Sequence, residues 1–470
     1  MPEPHPAARA ERTGTPGGAS ITLLTVLCLV LSTMALAEWD VPEALSERIA
    51  GLQPEQADFL TSGDALEFMP RRQLEHELTT RSDEELDQFL DDLMGLAAQM
   101  AYDPERDMGA IPLNLSARYF GLREPTPEAL RDFEREPGPF SVHRYQFPQS
   151  GVPTFAGAMV AIFPEDLVAG NVDVAIVGVP SNAGSGRRDA SNGPNALRAL
   201  ETLALPDDRS LVDPLAVLSV VDYGDFRVDR LSQERTAIAV TRRVAETAAT
   251  GAVPMLVGGD TSLLYPGVKG VAEAQEDPFG LLHFSAHPEA NRHDAHTISD
   301  DQAIHALLEE GIVAGEDTVL YGIRGAAADR DTLAWLKARK VRYHTLVSIR
   351  ERGFERSLKS VLREVDRGPD RFYVSVDVSV LRPADMPAAG RITPDGLAAN
   401  EVTRAIRAVC ADKEIVGFEV TDLAPVLDPT RVSALHAGAL VNACLNGIAV
   451  RRSGMDSDDI HPLVADHGQR

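Results

Sequence analysis

Cysteine is scarce in this sequence, with three among its 470 residues: Cys28, Cys410 and Cys444. No two of them stand at the spacing of a zinc knuckle or of a disulfide-rich scaffold. Cys410 and Cys444 lie in apolar stretches with helical spacing, where a free thiol behaves as a small buried hydrophobic residue. We therefore expect neither a disulfide framework nor a cysteine-based metal site.

Positive charge is also in short supply, because 45 lysines and arginines stand against 71 acidic residues and give a net charge of −26. Such a surface repels phosphate backbones and anionic lipids, which excludes nucleic acid as a partner. The chain has no internal repeat or low-complexity block, and its residues are 44% hydrophobic and 25% charged. This composition is that of a folded protein with room for one large α/β domain and an extension.

One apolar run, residues 21–37, stands near the N-terminus and is short for a membrane span, which needs about 20 residues. It follows two arginines and ends in Ala-Leu-Ala, which is the pattern of a signal peptide cleaved before Glu38. If residues 1–37 are a signal peptide, the protein is exported or periplasmic, and it meets a membrane only if that apolar segment is retained. If translation starts at Met34, the protein is cytoplasmic.

The remaining chain divides into three parts by composition. Residues 38–150 are acidic and carry helical apolar spacing, 151–452 alternate β-branched runs with helical segments, and 453–470 form a polar tail. Eight β-branched runs separated by helices predict a three-layer α/β/α fold with a parallel, about eight-stranded sheet and an N-terminal helical extension. The runs are VDVAIVGVP, AVLSVVDYGD, VPMLVGGD, FGLLHFSAH, TVLYGIRG, VRYHTL, RFYVSVDVSV and EIVGFEVTDLAP.

Polar residues follow four of these runs directly, at 258–261, 285–289, 375–379 and 419–422. Ligands bind at the carboxyl ends of the strands in open α/β sheets, so these segments predict the functional site. The glycine-rich stretch SNAGSGRR lacks the Lys-Ser/Thr ending of a phosphate loop, and we therefore expect no nucleotide.

The order and wording of these runs over residues 150–452 resemble the ureohydrolases, the arginase and agmatinase family. VPMLVGGDTS is similar to the Gly-Gly-Asp-His segment of that family, and GLLHFSAHPE is similar to its Asp-Ala-His-x-Asp strand. FYVSVDVSVLRPADMPAAG resembles its Ser-x-Asp-x-Asp-x-Leu-Asp-Pro strand, and VGFEVTDLAPVLDP resembles its last, Glu-bearing strand. The resemblance implies an arginase-like fold.

The resemblance also implies a metal centre, because family members hold two manganese ions with six side chains. A hydroxide that bridges the metals attacks a guanidinium carbon and releases urea. At the matching positions, this sequence keeps His287 and Asp377 and has Glu289 in place of an Asp. The other three ligand positions carry hydroxyl side chains: Thr261, Ser285 and Ser379. Neutral hydroxyls are weak ligands for such ions, so we expect no metal or a single divalent ion, manganese or another, and no dinuclear centre.

Two further positions correspond to catalytic residues of the family. Asp422 stands where the family has a Glu that contacts the substrate guanidinium, and His296 or His293 stands near its proton-shuttling His. Plainer interpretations remain open, since His287 could be a hydrogen-bonded structural residue and Asp377 could cap a loop through backbone N–H groups.

Two functions follow from the resemblance. The first is a catalytically impaired family member that serves as a binding or assembly subunit, as a homo-oligomer or together with an active paralogue. The second is an active metal-dependent amidinohydrolase that acts on agmatine or a related guanidinium compound with a mononuclear or rearranged metal site. In either case, the expected small-molecule ligand is a guanidinium compound.

Overall fold

A computed structural model describes most of the chain beyond the N-terminal segment. The described residues are 39, 41–101, 135–143, 151–185, 189–200, 203–230, 232–292, 298–325 and 329–465. The predicted signal segment at 1–37 and the two histidines at 293 and 296 lie outside them.

The described part of the extension is a small bundle of four helices with its own core. The helices are α1 (Glu43–Ala50), α2 (Pro54–Thr61), α3 (Arg71–Thr80) and α4 (Asp83–Met100), with a 3₁₀ turn at Asp64–Glu67. Ser82 begins α4 with a capping box, because its backbone N–H donates to Glu85 and its hydroxyl accepts from the Glu85 N–H. Leucines one helical turn apart on this helix are buried in the bundle core: Leu86, Leu90 and Leu93.

The α/β part is built on a nine-stranded sheet whose strand order is β1-β3-β2-β4-β9-β8-β5-β6-β7, and every neighbouring pair is parallel. The strands are β1 (Met159–Val160), β2 (Val174–Val179), β3 (Val220–Asp225), β4 (Val253–Gly258), β5 (Gly280–Phe284), β6 (Thr318–Ile323), β7 (Arg342–Thr345), β8 (Arg371–Asp377) and β9 (Glu414–Thr421). Each of the eight predicted runs contains one strand. The ninth, β1, is a two-residue edge strand, too short to leave a periodic pattern.

Helices connect the strands and cover the sheet. They are α5 (Pro164–Ala169), α6 (Gly193–Arg198), α7 (Pro214–Val217), α8 (Gln233–Ala249), α9 (Leu264–Ala274), α10 (Ala303–Glu309), α11 (Arg330–Ala338), α12 (Leu346–Arg352), α13 (Phe354–Val365), α14 (Ala399–Asp412), α15 (Val432–Arg452) and α16 (Pro462–Ala465). All six residues of β2 and all six of β6 are buried, as expected for strands covered on both faces.

The expectation of free thiols at Cys410 and Cys444 is wrong, because the two residues form a disulfide with a Cα–Cα distance of 5.3 Å. The bond joins α14 to α15, which pack closely along their lengths, and both cysteines are fully buried. Their separation of 34 residues gives no signal in the sequence, because only the packing of the two helices brings them together. Helix α15 is also long and apolar enough to cross a membrane, but 67% of its apolar window is buried inside the protein, as in a core helix.

A buried carboxylate ties the segment before the domain to α5. Asp166 accepts hydrogen bonds from Arg135 at 2.7 Å and from the backbone N–H groups of Gly138, Ile162 and Phe163 at 2.8 to 3.1 Å. Burial alone would raise the pKa of Asp166, but these hydrogen bonds outweigh it and lower the pKa to about 2.

Candidate functional site

The site forms because β4, β9, β8 and β5 are consecutive neighbours in the sheet. Since all four strands are parallel, their carboxyl ends lie at the same edge, and the polar segments that follow them meet there. The register places Asp377 on β8 beside Thr421 on β9, and Phe284 on β5 beside Val376 on β8. Ser285, which follows Phe284, therefore lies next to Asp377.

Three of the predicted residues form a buried cluster of metal-binding groups. His287, Glu289 and Asp377 each offer one ligand atom, and these atoms all lie within 4.8 Å of one another. His287 Nδ1 lies 3.9 Å from Glu289 Oε1 and 3.8 Å from Asp377 Oδ2. The side chains of Glu289 and Asp377 are almost inaccessible to solvent. One imidazole and two carboxylates match the three protein ligands of an open metal site.

The hydroxyl of Ser285 lies between the two carboxylates of this cluster. It donates to Asp377 Oδ2 at 3.0 Å and is within 3.3 Å of Glu289 Oε1, and it accepts the backbone N–H of His287 at 2.9 Å. Its hydrogen-bonding capacity is therefore used within the site.

Ser379 and Thr393 contact the two ring nitrogens of His287. The hydroxyl of Ser379 lies 3.4 Å from Nδ1, and the hydroxyl of Thr393 lies 2.9 Å from Nε2. The backbone N–H of Ser379 donates to Asp377 Oδ1 at 2.7 Å, so Asp377 also caps the turn that follows β8. Asp377 therefore both caps the turn after β8 and belongs to the cluster with His287 and Glu289.

Thr261 and Asp422 complete the predicted set. The hydroxyl of Thr261 lies 3.3 Å from that of Thr421 and is buried. Asp422 is buried in the left-handed region at φ 70°, and its Oδ2 accepts the backbone N–H of Arg391 at 2.7 Å. Its Oδ1 has no hydrogen-bond partner among the described residues. Asp422 thus offers one free acceptor atom in the interior of the site.

Arg391 is a site residue that the sequence analysis did not identify. Its Nη1 lies 3.5 Å from Glu289 Oε2 and 3.8 Å from Asp300, and its Nη2 pairs with Asp301. The only sequence signal is a cation in the otherwise apolar, glycine- and proline-containing segment MPAAGRITP, where a charged side chain is out of place.

Charge is distributed unevenly over the cluster. Burial alone would raise the pKa of Asp377, but the adjacent imidazole of His287 and the N–H and hydroxyl of Ser379 lower it to about 2. Burial raises the pKa of Glu289 well above its usual value, and Arg391 opposes that rise. Burial and the nearby charge of Asp377 raise the pKa of Asp422 in the same way. Asp377 is therefore the fixed anion of the site, while Glu289 needs an adjacent cation to remain ionised.

A cavity of about 450 Å³ opens next to the cluster. Glu289 and Arg391 lie on its wall together with Asp329 and Asp331, and Leu66 from the 3₁₀ turn of the extension lines the same cavity. Asp301 and Arg292 line it as well, so four carboxylates face two arginines, and this net negative lining suits a cationic ligand with a small apolar portion.

A second polar network lies deeper in the sheet, on the same strands. Tyr373 and Ser375 donate to the two oxygens of Glu419 at 2.9 and 2.6 Å, and His283 Nδ1 lies 2.9 Å from the hydroxyl of Ser375. Burial raises the pKa of Glu419 to about 7 and lowers the pKa of His283 to about 4. All four side chains are fully buried, so the network is part of the core rather than of the ligand cavity.

Comparisons with known proteins concern the α/β part of the chain. The model of the arginase family matches residues 172–446. A guanidinopropionase from Pseudomonas aeruginosa is 30% identical over 304 residues, which cover 62% of this chain and 90% of that protein.

Solved structures show the same fold. The crystal structure of a hypothetical agmatinase from Burkholderia thailandensis matches with a TM-score of 0.59 at 23% identity, over 68% of this chain and 99% of that one. A formiminoglutamase from Trypanosoma cruzi, solved with Mn²⁺, matches with a TM-score of 0.54 at 22% identity, over 60% of this chain and 95% of that one.

Proposed function

The chain belongs to the arginase family, and we propose that it is a member whose hydrolytic site is impaired and which binds a small guanidinium compound. In this proposal, the site holds no metal or a single divalent ion, and the protein acts as a binding or assembly subunit. The protein would keep the fold of the family but would not carry out its two-metal hydrolysis.

The observation that carries the proposal is the hydroxyl of Ser285 between Asp377 and Glu289. A pair of divalent ions requires several anionic oxygens to replace the hydration that each ion loses. The described cluster offers two carboxylates and one imidazole, and the neighbouring positions carry neutral hydroxyls that are already hydrogen-bonded. Two divalent charges would therefore be left without enough ligands.

The same three groups fit one ion. His287, Glu289 and Asp377 would hold it, each with one ligand atom. A bound divalent ion would act as a Lewis acid and activate water toward a guanidinium carbon. Asp377 would remain ionised, and Asp422 would present its free Oδ1 to a donor group of the ligand.

The ligand class follows from the acidic lining of the cavity and from the relatives. A guanidinium group is a planar cation with five N–H donors, which carboxylates bind well. The name of one relative, guanidinopropionase, supports a small guanidino compound as the proposed ligand. Agmatine, arginine and guanidinopropionate are therefore the compounds to test.

Metal content and urea release test the proposal together. The purified protein is equilibrated with Mn²⁺, dialysed and analysed for metal, and urea is measured with each guanidinium compound. We expect no more than one ion per chain and no turnover. Two tightly bound ions together with urea release would contradict the proposal.

A second function, hydrolysis with a single metal ion, is favoured by the convergence of His287, Glu289 and Asp377. It predicts urea release that Asp377→Asn abolishes and that Asp277→Asn leaves unchanged. Asp277 is a suitable control because it is an exposed carboxylate just before the amino end of β5, at the opposite edge of the sheet.

The assembly role is tested separately. We expect the protein to form a homo-oligomer or to associate with an active paralogue, and light scattering of the purified chain, alone and mixed with such a paralogue, measures this. Mass spectrometry of the mature N-terminus determines whether residues 1–37 are removed, retained or never translated.

A further inference from the structure

The guanidinium group of Arg391 lies inside the carboxylate-lined part of the site. Its Nη1 is 3.5 Å from Glu289 Oε2 and 3.8 Å from Asp300 Oδ2, while its Nη2 pairs with Asp301. The side chain is 15% exposed, and that of Glu289 is fully buried. A cation supplied by the chain therefore stands beside one of the three metal-binding groups.

The backbone fixes the position of this arginine. The N–H of Arg391 donates to Asp422 Oδ2 at 2.7 Å, and the N–H of Gly390 donates to the Asp422 carbonyl at 2.8 Å. A Cβ at position 390 would overlap Oδ1 of Asp422, so the close approach of the two loops requires glycine there. The loop that carries Arg391 is thus anchored to the end of β9.

The carboxylates around Arg391 explain why its side chain is only 15% exposed. Glu289 Oε2 and Arg391 Nη1 are both buried and have no hydrogen-bond partner in the described part of the chain, so each is satisfied by the charge of the other. An isolated buried carboxylate would be strongly destabilised, and an opposite charge at this distance offsets part of that cost. A divalent ion at Glu289 would offset the same cost, and two cations close to one carboxylate repel each other.

We infer that Arg391 is a tethered cation that takes the place of a divalent ion at Glu289 and keeps the affinity of the His287, Glu289 and Asp377 cluster for metal low. The inference builds on the proposed function, because it gives a reason beyond the lost ligands for weak metal binding. Removal of the guanidinium should then make the cluster a better metal site, although no ligand has been added. A purely structural ion pair would behave differently, because its loss would lower stability without any gain in metal affinity.

Titration with Mn²⁺ in the absence of substrate tests the inference, with free Mn²⁺ followed by electron paramagnetic resonance. We expect Arg391→Ala to bind one ion at least tenfold more tightly than the unaltered protein. Arg404→Ala is the matched control, because Arg404 also pairs with a carboxylate but lies on the surface of α14. Its affinity should not change.

A second variant is measured in case Arg391→Ala does not fold. Arg391→Gln removes the charge but keeps a polar side chain in its place, so metal affinity should rise as in Arg391→Ala. Unchanged affinity in both variants, or in Gln alone if Ala does not fold, would overturn the inference. Two ions bound to the unaltered protein would instead contradict the proposed function.

A complementary measurement uses the guanidinium ion itself. Arg391→Ala leaves a space of guanidinium size beside Glu289, Asp300 and Asp301, so millimolar guanidinium should raise the Tm of this variant and compete with Mn²⁺ for it. The unaltered protein, whose cavity is the proposed site for a guanidinium compound, should show either effect only at higher concentrations. Equal responses of the two proteins would count against the tethered-cation role.

Discussion

Ser285→Asp converts the hydroxyl between the two carboxylates into a third carboxylate, and its cost can be worked out from the geometry. The Ser285 Oγ lies 3.0 Å from Asp377 Oδ2 and 3.3 Å from Glu289 Oε1. Two negative charges at roughly 4 Å repel by about 4 kcal/mol at an effective dielectric constant of 20. We therefore expect the metal-free variant to lose up to about 4 kcal/mol of stability from its contact with ionised Asp377 alone.

The loss should depend on pH, because the introduced carboxyl can take up a proton instead. A repulsion of about 4 kcal/mol corresponds to about three pKa units, which would raise a carboxyl pKa from about 4 to about 7 in the folded state. A carboxyl whose pKa is higher in the folded state than in the unfolded state destabilises the protein at pH values above its unfolded-state pKa. The loss of stability grows as the pH rises through its folded-state pKa. The Tm deficit relative to the unaltered protein should thus be small near pH 5 and largest near pH 8.

Manganese should reverse the deficit, because a cation between three carboxylates removes the repulsion. An ion present at 100 times its Kd stabilises the folded state by about 2.7 kcal/mol. Thermal unfolding at pH 5 and pH 8, with and without Mn²⁺, measures both effects, and Ser46→Asp on the exposed face of α1 serves as the control. An unchanged Tm at pH 8 without metal, or a deficit that Mn²⁺ fails to reduce, would refute the reasoning.

Three other predictions concern the frame around the site. Cys444→Ser opens the loop of 34 residues closed by Cys410, and it should lower the free energy of unfolding by about 4 kcal/mol, as measured by urea titration without reductant. Asp166→Asn should lower the free energy of unfolding by about 2 kcal/mol at pH 7. The pKa of Asp166 is lowered to about 2 in the folded protein, and this shift stabilises the fold at pH values above the carboxyl's unfolded-state pKa of about 4. That advantage should vanish as the pH falls through about 2, which acid titrations of both proteins would show. Gly259→Ala should prevent folding, since its Cβ would overlap the carbonyl oxygen of Ser181, and soluble yield measures this.

The sheet could be predicted because its strands are buried on both faces. The sequence of such a strand is a continuous β-branched run. Eight runs of this kind separated by helical segments are compatible with few arrangements other than a parallel sheet covered by helices. The sequence could not predict the edge strand Met159–Val160, since two residues carry no periodicity. It also could not predict the disulfide, which depends on how α14 packs against α15.

The site was predictable only where a strand fixes the residue. His287, Glu289 and Asp377 come directly after β5 or at the end of β8, so the topology determines where they meet. Arg391 lies fourteen positions beyond Asp377 in an irregular loop, whose path is set by contacts with Asp422 rather than by any local pattern. The cation beside Glu289 was therefore among the site residues that the sequence could not identify.

Two hydroxyl side chains at ligand positions of the family pattern, together with Arg391, form one connected set in the structure. Ser285 donates to Asp377 and lies within 3.3 Å of Glu289 Oε1, Ser379 contacts the imidazole of His287, and Arg391 supplies a positive charge to Glu289. Each of these three side chains contacts a buried polar group of the cluster, and an unpaired buried polar group costs about 1 to 3 kcal/mol. Ligand loss without these compensations would leave an unstable cluster of buried anions. These contacts support the proposed function, in which the site is stable without a pair of metal ions, and the inferred role of Arg391.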